Sequence, residues 1–181
     1  MARIDSFRAF LTQGGARPTQ FRVELVFPNG IGAETAGAGI AGTFMCTAAS
    51  LPGSLLSSID IPYRGRMVKI AGERQFQNWQ VRILNDGDFI IRKAMESWSS
   101  KILQHGDTAG VVTPIRYTAD LQVVQLDRNE IALRTYKFHN CFPTNISEIN
   151  LDFGDTQSIE NFNVEFSVDY WTVESGAVQI R

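Results

Sequence analysis

The 181-residue chain is poor in the residues that form covalent cross-links, metal sites and catalytic centres. It has two cysteines, Cys46 and Cys141, without C-x-x-C spacing, and two histidines, His105 and His139. Neither a disulfide framework nor a four-ligand zinc site is therefore predicted, and two buried, reduced thiols in a cytoplasmic setting are expected. The sequence also lacks an apolar run of 18 residues and an apolar N-terminal segment. These absences predict neither a membrane span nor a secretory signal.

Cations are absent from the last quarter of the sequence. Residues 138–180 contain seven acids and no Lys or Arg, whereas residues 1–137 carry 16 cations against 12 acids. The net charge of −2 therefore hides a positive first part and a negative last part. Opposite charge on two parts of one subunit favours self-association, and a solvated acidic face is the alternative interpretation.

Within this acidic part, apolar and polar residues alternate as in a half-buried strand. Phe162, Val164, Phe166, Val168 and Tyr170 share one face. The other face is acidic and carries no cation of its own, which predicts a surface that does not hold a polyanion. That face consists of Asn163, Glu165, Ser167 and Asp169.

Alternating segments elsewhere predict a mainly β protein. Strands are predicted over residues 20–27, 44–50, 58–63, 66–71, 76–84, 118–126, 131–138, 147–153 and 159–173. One amphipathic helix is predicted over residues 88–104, with Asp88 as its N-cap and an apolar stripe at helical spacing. Because helices do not alternate with strands, we predict one domain over residues 1–181, an antiparallel sandwich or barrel with one flanking helix.

Four further segments have distinct compositions. Residues 4–12 predict a short helix, and the Gly/Ala-rich residues 29–43 predict an exposed, mobile loop. Residues 51–66 predict a projecting hairpin region, with a basic cluster around the hairpin. The cluster, Arg64, Arg66, Lys69 and Arg74, indicates a nucleic-acid patch or, preferably, an intersubunit contact with the acidic part of another copy.

No motif predicts a catalytic, cofactor or metal site. Residues 37–42 match G-x-G-x-x-G, but a strand rather than a helix is predicted to follow, so dinucleotide binding is not expected. His139 and Cys141 lie two apart on a strand, where they share a face without facing each other. The acids are too numerous for any pair to indicate acid–base chemistry. No enzyme is predicted.

Several short motifs, in order and at their spacing, resemble the tail tube proteins of contractile-tailed phages. That family is related to the hemolysin-coregulated tube protein of type VI secretion. The resemblance spans about residues 5–171 and is carried by Arg17-Pro18, Cys46, Leu51-Pro52, Ala71-Gly72-Glu73-Arg74-Gln75-Phe76, Trp79, Asn85-Asp86, Pro143-Thr144-Asn145, Leu151-Asp152 and Asp169-Tyr170-Trp171.

The resemblance implies hexameric rings whose strands join into one continuous barrel and which stack into a hollow tube for DNA. The implied lumen-facing residues are Glu148, Asn150, Asp152, Asn163, Glu165, Ser167 and Asp169. The implied ring-stacking residues are Leu51, Leu55, Leu56, Tyr63, Arg64 and Arg66. Residues 172–181 form a tail beyond the usual Asp-Tyr-Trp ending.

The resemblance also implies partners and a location. The implied partners are other copies of the chain, a tail sheath protein, baseplate and tail terminator proteins, and tape-measure protein and DNA in the lumen. The location is the virion tail, assembled in the cytoplasm of the bacterial host without membrane insertion. Two alternatives remain open: the tube of a type VI or phage-like injection particle that delivers protein, and an oligomeric ligand-binding β-protein.

Overall fold

A computed structural model describes residues 4, 8, 9, 15–28, 37–104, 106, 110–154 and 157–175. Within these ranges the chain forms nine strands and two α-helices. They are β1 (Phe21–Glu24), α1 (Ala38–Met45), β2 (Cys46–Ala49), β3 (Ser54–Tyr63), β4 (Arg66–Phe76), β5 (Trp79–Leu84), α2 (Ile90–Ile102), β6 (Ala119–Leu126), β7 (Ala132–Ile146), β8 (Asn161–Ser167) and β9 (Tyr170–Ser175).

Two antiparallel sheets share the long strand β7. Its first half lies between β6 and β9, with β1 beyond β6, and we call this sheet A. Its second half pairs with β8, followed by β5 and β2, and we call this sheet B. The mainly antiparallel fold class with a flanking helix is therefore confirmed, whereas the joining of strands between copies stays a prediction.

The strand β7 passes from one sheet to the other at Asn140, whose φ of 55° is left-handed. Leu121 pairs with Phe138 and Ala119 with Cys141, so β7 has one residue more than β6 in this interval. Such a bulge reverses the alternation of faces. His139 consequently lies at the outer surface while Cys141 is fully buried, which corrects the expectation that they share a face.

The core lies between the two sheets and is rich in aromatic rings. Trp79 stacks on Phe138 with ring centroids 4.3 Å apart, and Phe166 packs against both Trp79 and Trp98. The alternation in β8 is confirmed, since Phe162, Val164 and Phe166 have no exposed surface. Burial of such rings provides most of the stabilising free energy of a domain of this size.

The predicted flanking helix is confirmed as α2, and its apolar stripe, including Ile91, Met95 and Trp98, is buried. Its predicted N-cap is wrong. Phe89 holds the cap position with a φ of 56°, and the carboxylate of Asp86, not Asp88, accepts the first backbone N–H, from Ile90, at 3.0 Å. The side chain of Trp98 donates to the Tyr117 carbonyl at 2.6 Å and so links the helix to the segment that leads into β6.

The prediction of a mobile loop over residues 29–43 is wrong for its second half. Residues 38–45 form α1, which packs against β1, and residues 29–36 lie outside the described ranges. A Cβ on Gly42 would lie 2.7 Å from the Leu25 side chain, and one on Gly39 would lie 2.9 Å from the Leu25 carbonyl oxygen. Because these glycines have no side chain, they permit close packing of α1 against Leu25, whereas the Gly/Ala-rich composition alone predicts a mobile loop.

Three other predicted elements differ from the structure. Residues 147–153 form no strand. They follow the end of β7 and have an irregular backbone. The long predicted strand at 159–173 is two strands, with a break at Val168 and Asp169 that moves the chain from sheet B to sheet A. Of residues 4–12, only Ile4, Arg8 and Ala9 are described, and these are helical.

Replacement of Trp79 by Ala should destabilise the domain strongly. The ring is 1% exposed, stacks on Phe138 and donates its N–H to the Ser50 carbonyl at 2.8 Å. Its loss leaves a cavity and an unpaired acceptor, for which we expect a cost of about 3–5 kcal/mol in the free energy of unfolding. Urea denaturation at fixed protein concentration measures it. The control Phe153→Ala, at a fully exposed position, should change stability by less than about 0.5 kcal/mol.

Candidate assembly surfaces

The hairpin β3–β4 is the most exposed part of the described fold. The two strands pair with each other and with no other described strand, and every residue of β3 is exposed. Ten residues at about 3.3 Å each make an arm roughly 33 Å long. The hairpin region predicted at 51–66 overlaps this arm, which begins at Ser54 and extends further, to Phe76.

One face of this arm is apolar. Ile59 pairs with Ile70 and Ile61 with Val68, and these four side chains are between 45% and 50% exposed. Leu55 and Tyr63 continue the same face toward the base and the tip, with 57% and 60% exposure. A contiguous apolar surface of this kind on a soluble protein marks an interaction site.

The tip of the arm is basic, and its opposite face mixes polar and apolar side chains. Asp60 and Lys69 form an ion pair at 3.4 Å on the opposite face, where Leu56 also lies. Arg64 lies in the turn with its guanidinium 5.4 Å from the centroid of the Tyr63 ring, and Arg66 pairs with Tyr63 across the strands. The predicted stacking residues thus come together on one arm, apart from Leu51, which precedes it and is 49% exposed.

The base of the arm is anchored by two tryptophans. Trp79 donates to the Ser50 carbonyl at 2.8 Å, and Trp171 donates to the Gly53 carbonyl at 3.3 Å. Phe76 meets Trp171 edge-on with centroids 6.1 Å apart. The point at which the arm leaves the body is therefore defined by core and near-core side chains.

Three strands of the body have a free margin among the described strands. β1 pairs only with β6, β2 only with β5, and β9 only with β7. Their outward backbone N–H and C=O groups can pair with a strand of another chain. Open strand margins and an apolar arm without a cover among the described residues are the features expected of a subunit that binds other chains.

Two predicted lumen residues, Asn163 and Glu165, lie on the outer face of sheet B. Glu165 pairs with Gln80 and accepts a hydrogen bond from Asn78 at 2.9 Å. Asn163 pairs with Arg82, whose Nε donates to the Asn163 side-chain oxygen at 3.3 Å. The face therefore carries a cation, contrary to the expectation from β8 alone. Arg82 could have been found from its alternation with the buried Val81 and Ile83.

The other two predicted lumen residues on this segment follow toward the junction of the sheets. Ser167 pairs with Phe142 of β7. Asp169 is exposed and accepts a hydrogen bond from the Asn140 side chain at 2.9 Å. Glu165 and Asp169 thus both point outward, but Asp169 belongs to a polar cluster at the bulge of β7.

Asp120 is the centre of that cluster, and sequence reasoning missed it. Its carboxylate lies 3.2 Å from Lys137 Nζ and 3.3 Å from His139 Nδ1, and it accepts the Asn140 backbone N–H at 3.2 Å. Partial burial tends to raise the pKa of Asp120, but the hydrogen bonds from Asn140 and Lys137 and the charge of His139 outweigh it and lower the pKa. His139 also contacts Thr172 of β9 at 2.9 Å and stacks on Tyr170. The cluster therefore connects β6, β7 and β9.

The remaining lumen candidates, Glu148, Asn150 and Asp152, lie on the irregular segment that replaces the predicted strand. Together with residues 158–161 and Asn163 they line an open hollow of about 760 Å³. Large apolar side chains surround it and point into solvent: Leu151 is 81%, Phe153 108% and Ile159 66% exposed. The structure therefore gives these three candidates no strand face, and their lumen role stays a prediction.

The two thiols are free, Cys141 buried and Cys46 partly buried. Burial raises the pKa of Cys141 to about 12 and that of Cys46 to about 11, so both remain protonated and weakly nucleophilic at neutral pH. Among the described residues, no three His, Cys, Asp or Glu side chains are grouped so as to hold a metal ion. No described helix is long and apolar enough to cross a membrane.

Comparison with known proteins identifies the family. The chain belongs to the phage tail tube protein family, whose model matches residues 16–174. It is 29% identical over 168 residues to "Tail tube protein gp19" of Enterobacteria phage T4, covering 92% of this chain and 97% of that protein. Phage tail tube proteins are structural components of the virion.

Solved structures have the same fold. A chain of the anti-feeding prophage cap superposes with a TM-score of 0.63 at 16% identity, covering 90% of this chain and 92% of that one. A chain of the sheath–tube complex of an extracellular contractile injection system gives 0.61 at 12% identity, covering 93% and 97%. At such identities the likeness shows the fold.

Replacement of Asp120 by Asn should lower the melting temperature at neutral pH, because the variant loses the pairs with Lys137 and His139. The stabilisation that comes from a lowered carboxyl pKa is present above the ordinary value of about 3.9 and is lost as the pH falls through the lowered value. The gap to wild type should therefore shrink below about pH 4. Melting temperatures measured between pH 7 and pH 2 test this.

The control for Asp120→Asn is Asp88→Asn, which removes an exposed carboxylate in the turn before α2. We expect it to have little effect at any pH. A gap between Asp120→Asn and wild type that stays constant down to pH 2 would show that the cluster does not act through its charge.

Proposed function

We propose that this protein is the subunit of the inner tube of a contractile phage tail, in which hexameric rings stack into a hollow tube that delivers DNA. The observation that carries the proposal is the arm β3–β4, whose apolar face has no cover among the described residues. Membership of the tail tube family supports the same function.

Lateral closure follows from the open margins. A subunit with free strand margins on both sheets can pair with a copy on either side, and closure into a ring pairs the two margins that meet at each contact between copies. Such side-to-side contacts are heterologous, because different surfaces of the two copies meet. Stacking of rings through the arm then gives an open polymer. Obligate interfaces of this kind commonly bury more than about 2,000 Å².

The outer face of sheet B is the proposed wall of the lumen. Glu165, Asp169, Asn163 and Ser167 remain the candidates on β8 and at its end, and Arg82 is the one cation that β5 adds beside them. The guanidinium is hydrogen-bonded to Asn163, and the acids nearby reduce its attraction for phosphate. Because phosphate binding depends on uncompensated Lys and Arg, such a wall lets DNA pass without holding it. Screening limits the effect to about 8 Å at physiological salt.

The remaining elements of the proposal are partners and location. The outside of the tube contacts a tail sheath protein, and the ends contact baseplate and terminator proteins. Tape-measure protein and then DNA occupy the lumen without specific binding, and assembly takes place in the host cytoplasm. We assign no catalytic activity. A protein-delivering injection particle is the alternative, and the sequence similarity to phage tail tube proteins favours the phage tail.

Replacement of Ile59 and Ile61 by Thr should prevent stacking and leave rings intact. Thr preserves the strand preference of β3 but removes apolar surface from the face of the arm. Each lost burial costs about 1–3 kcal/mol, so the concentration needed for rods should rise at least about tenfold. Negative-stain microscopy and pelleting of the purified protein measure it. Wild-type protein that forms neither rings nor rods would refute the proposed function.

The matched control is Ser58→Thr with Asp60→Thr, on the opposite face of the same strand. Rod formation by this variant at the wild-type concentration would locate the contact on the apolar face. Equal loss of rods in both variants would contradict that location.

Replacement of Glu165 and Asp169 by Lys should slow DNA passage without preventing assembly, because two cations would then join Arg82 on the proposed lumen wall. Ejection kinetics from particles assembled with the variant measure the effect. The control Glu96→Lys with Glu130→Lys makes the same change of charge at exposed positions on α2 and in the β6–β7 turn. Ejection at the wild-type rate in the Glu165/Asp169 variant would exclude a lumen position for these residues.

A further inference from the structure

The described body has two ends that differ in shape and charge. Trp79 of β5 pairs with Phe166 of β8, and Leu84 pairs with Asn161, so sheet B has a Trp79 end and a Leu84 end. Five residue steps along β5 place these ends about 17 Å apart. The two most exposed features of the chain lie at different ends of this sheet.

The arm belongs to the Trp79 end. β4 ends at Phe76 and is separated from β5 by two residues, and Trp79 donates to the carbonyl of Ser50 just ahead of the arm. The tip of the arm, residues 61–68, contains Arg64 and Arg66 and no acid. Tyr63 and Met67 flank these arginines and are each 60% exposed. The tip therefore presents positive charge among apolar side chains.

The hollow lined by residues 147–153, 158–161 and Asn163 belongs to the Leu84 end. The Ser147 backbone N–H donates to the Asn163 carbonyl at 2.8 Å, and the Asn85 backbone N–H donates to the Glu160 carbonyl at 2.9 Å. Residues 147–163 contain four acids and no Lys or Arg. The exposed Leu151, Phe153 and Ile159 give the hollow an apolar rim. Its charge is opposite to that of the tip, and its exposed apolar surface is of the same kind.

We propose that the hollow at the Leu84 end receives the tip of the arm from a copy in the adjacent ring. Arg64 and Arg66 then lie near Glu148 and Asp152, and the apolar side chains of tip and rim cover each other. A contact between opposite ends of one sheet is heterologous and repeats in one direction, as an open polymer requires. This inference rests on the proposed tube, for which it identifies the receiving surface.

Reversal of the charges at one end should prevent stacking, and reversal at both ends should restore it. Arg64→Glu with Arg66→Glu puts acids opposite acids, so this variant should form rings but no rods. Glu148→Arg with Asp152→Arg should have the same defect. The variant that carries all four substitutions again has opposite charges at the two ends, and it should form rods in negative stain. A control that combines the reversed tip with Glu130→Arg and Asp88→Arg, at exposed positions elsewhere, should form rings only.

The outcomes separate this pairing from the proposed function. Rods of wild type but none of the fourfold variant, whose rings are intact, would overturn the pairing and leave the tube in place. Restoration by the mismatched control would also overturn it. Absence of rings and rods in the wild type would instead refute the proposed function.

Cross-linking tests the same contact without altering charge. Rods of a Met67→Cys, Leu151→Cys variant treated with a bis-maleimide should give a ladder of multimers in denaturing gels. Each copy then links through its tip to one neighbour and through its hollow to another. The two variants that carry only one of the added cysteines, and the wild type with its native Cys46 and Cys141, should give no such ladder. Absence of the ladder in intact rods of the double variant would overturn the pairing.

Discussion

The rest of the structure depends on one constraint: the apolar face of the β3–β4 arm lacks a cover among the described residues. A two-stranded hairpin is at best marginally stable in water, and three or more strands or a packed partner are needed for independent stability. Here Ile59, Ile61, Val68 and Ile70 are about half exposed, and no other described strand pairs with the arm. In the proposed tube, contact with another copy covers this face and also builds the polymer.

The body explains how such an arm is held. Sheets A and B share β7 and enclose an aromatic core, and Trp79 links that core to the backbone before the arm. Trp171 of β9 holds the next turn of chain, and the Asp120 cluster connects β9 to β6 and β7. The body thus fixes the origin of the arm, while most of the arm pairs with no other described strand.

Much of this fold could be predicted from the sequence, because its signals are local. The alternation in β8, the helical stripe of α2 and the hairpin turn at Arg64-Gly65 each lie within one segment. What could not be predicted depends on neighbours in space. The composition around Gly39 and Gly42 predicts a mobile loop, but both glycines pack tightly against Leu25. Arg82 adds its charge to the β8 face only because β5 lies beside β8. The reversal of faces at Asn140 depends on a bulge that no residue type in this segment predicts.

Burial of the arm between rings can be observed in a cryo-electron microscopy map of assembled rods. We expect density for residues 54–76 of each subunit against the adjacent ring, with Ile59, Ile61, Val68 and Ile70 covered there. A map in which the arm folds back on its own subunit, or extends into solvent from an otherwise complete rod, would contradict it.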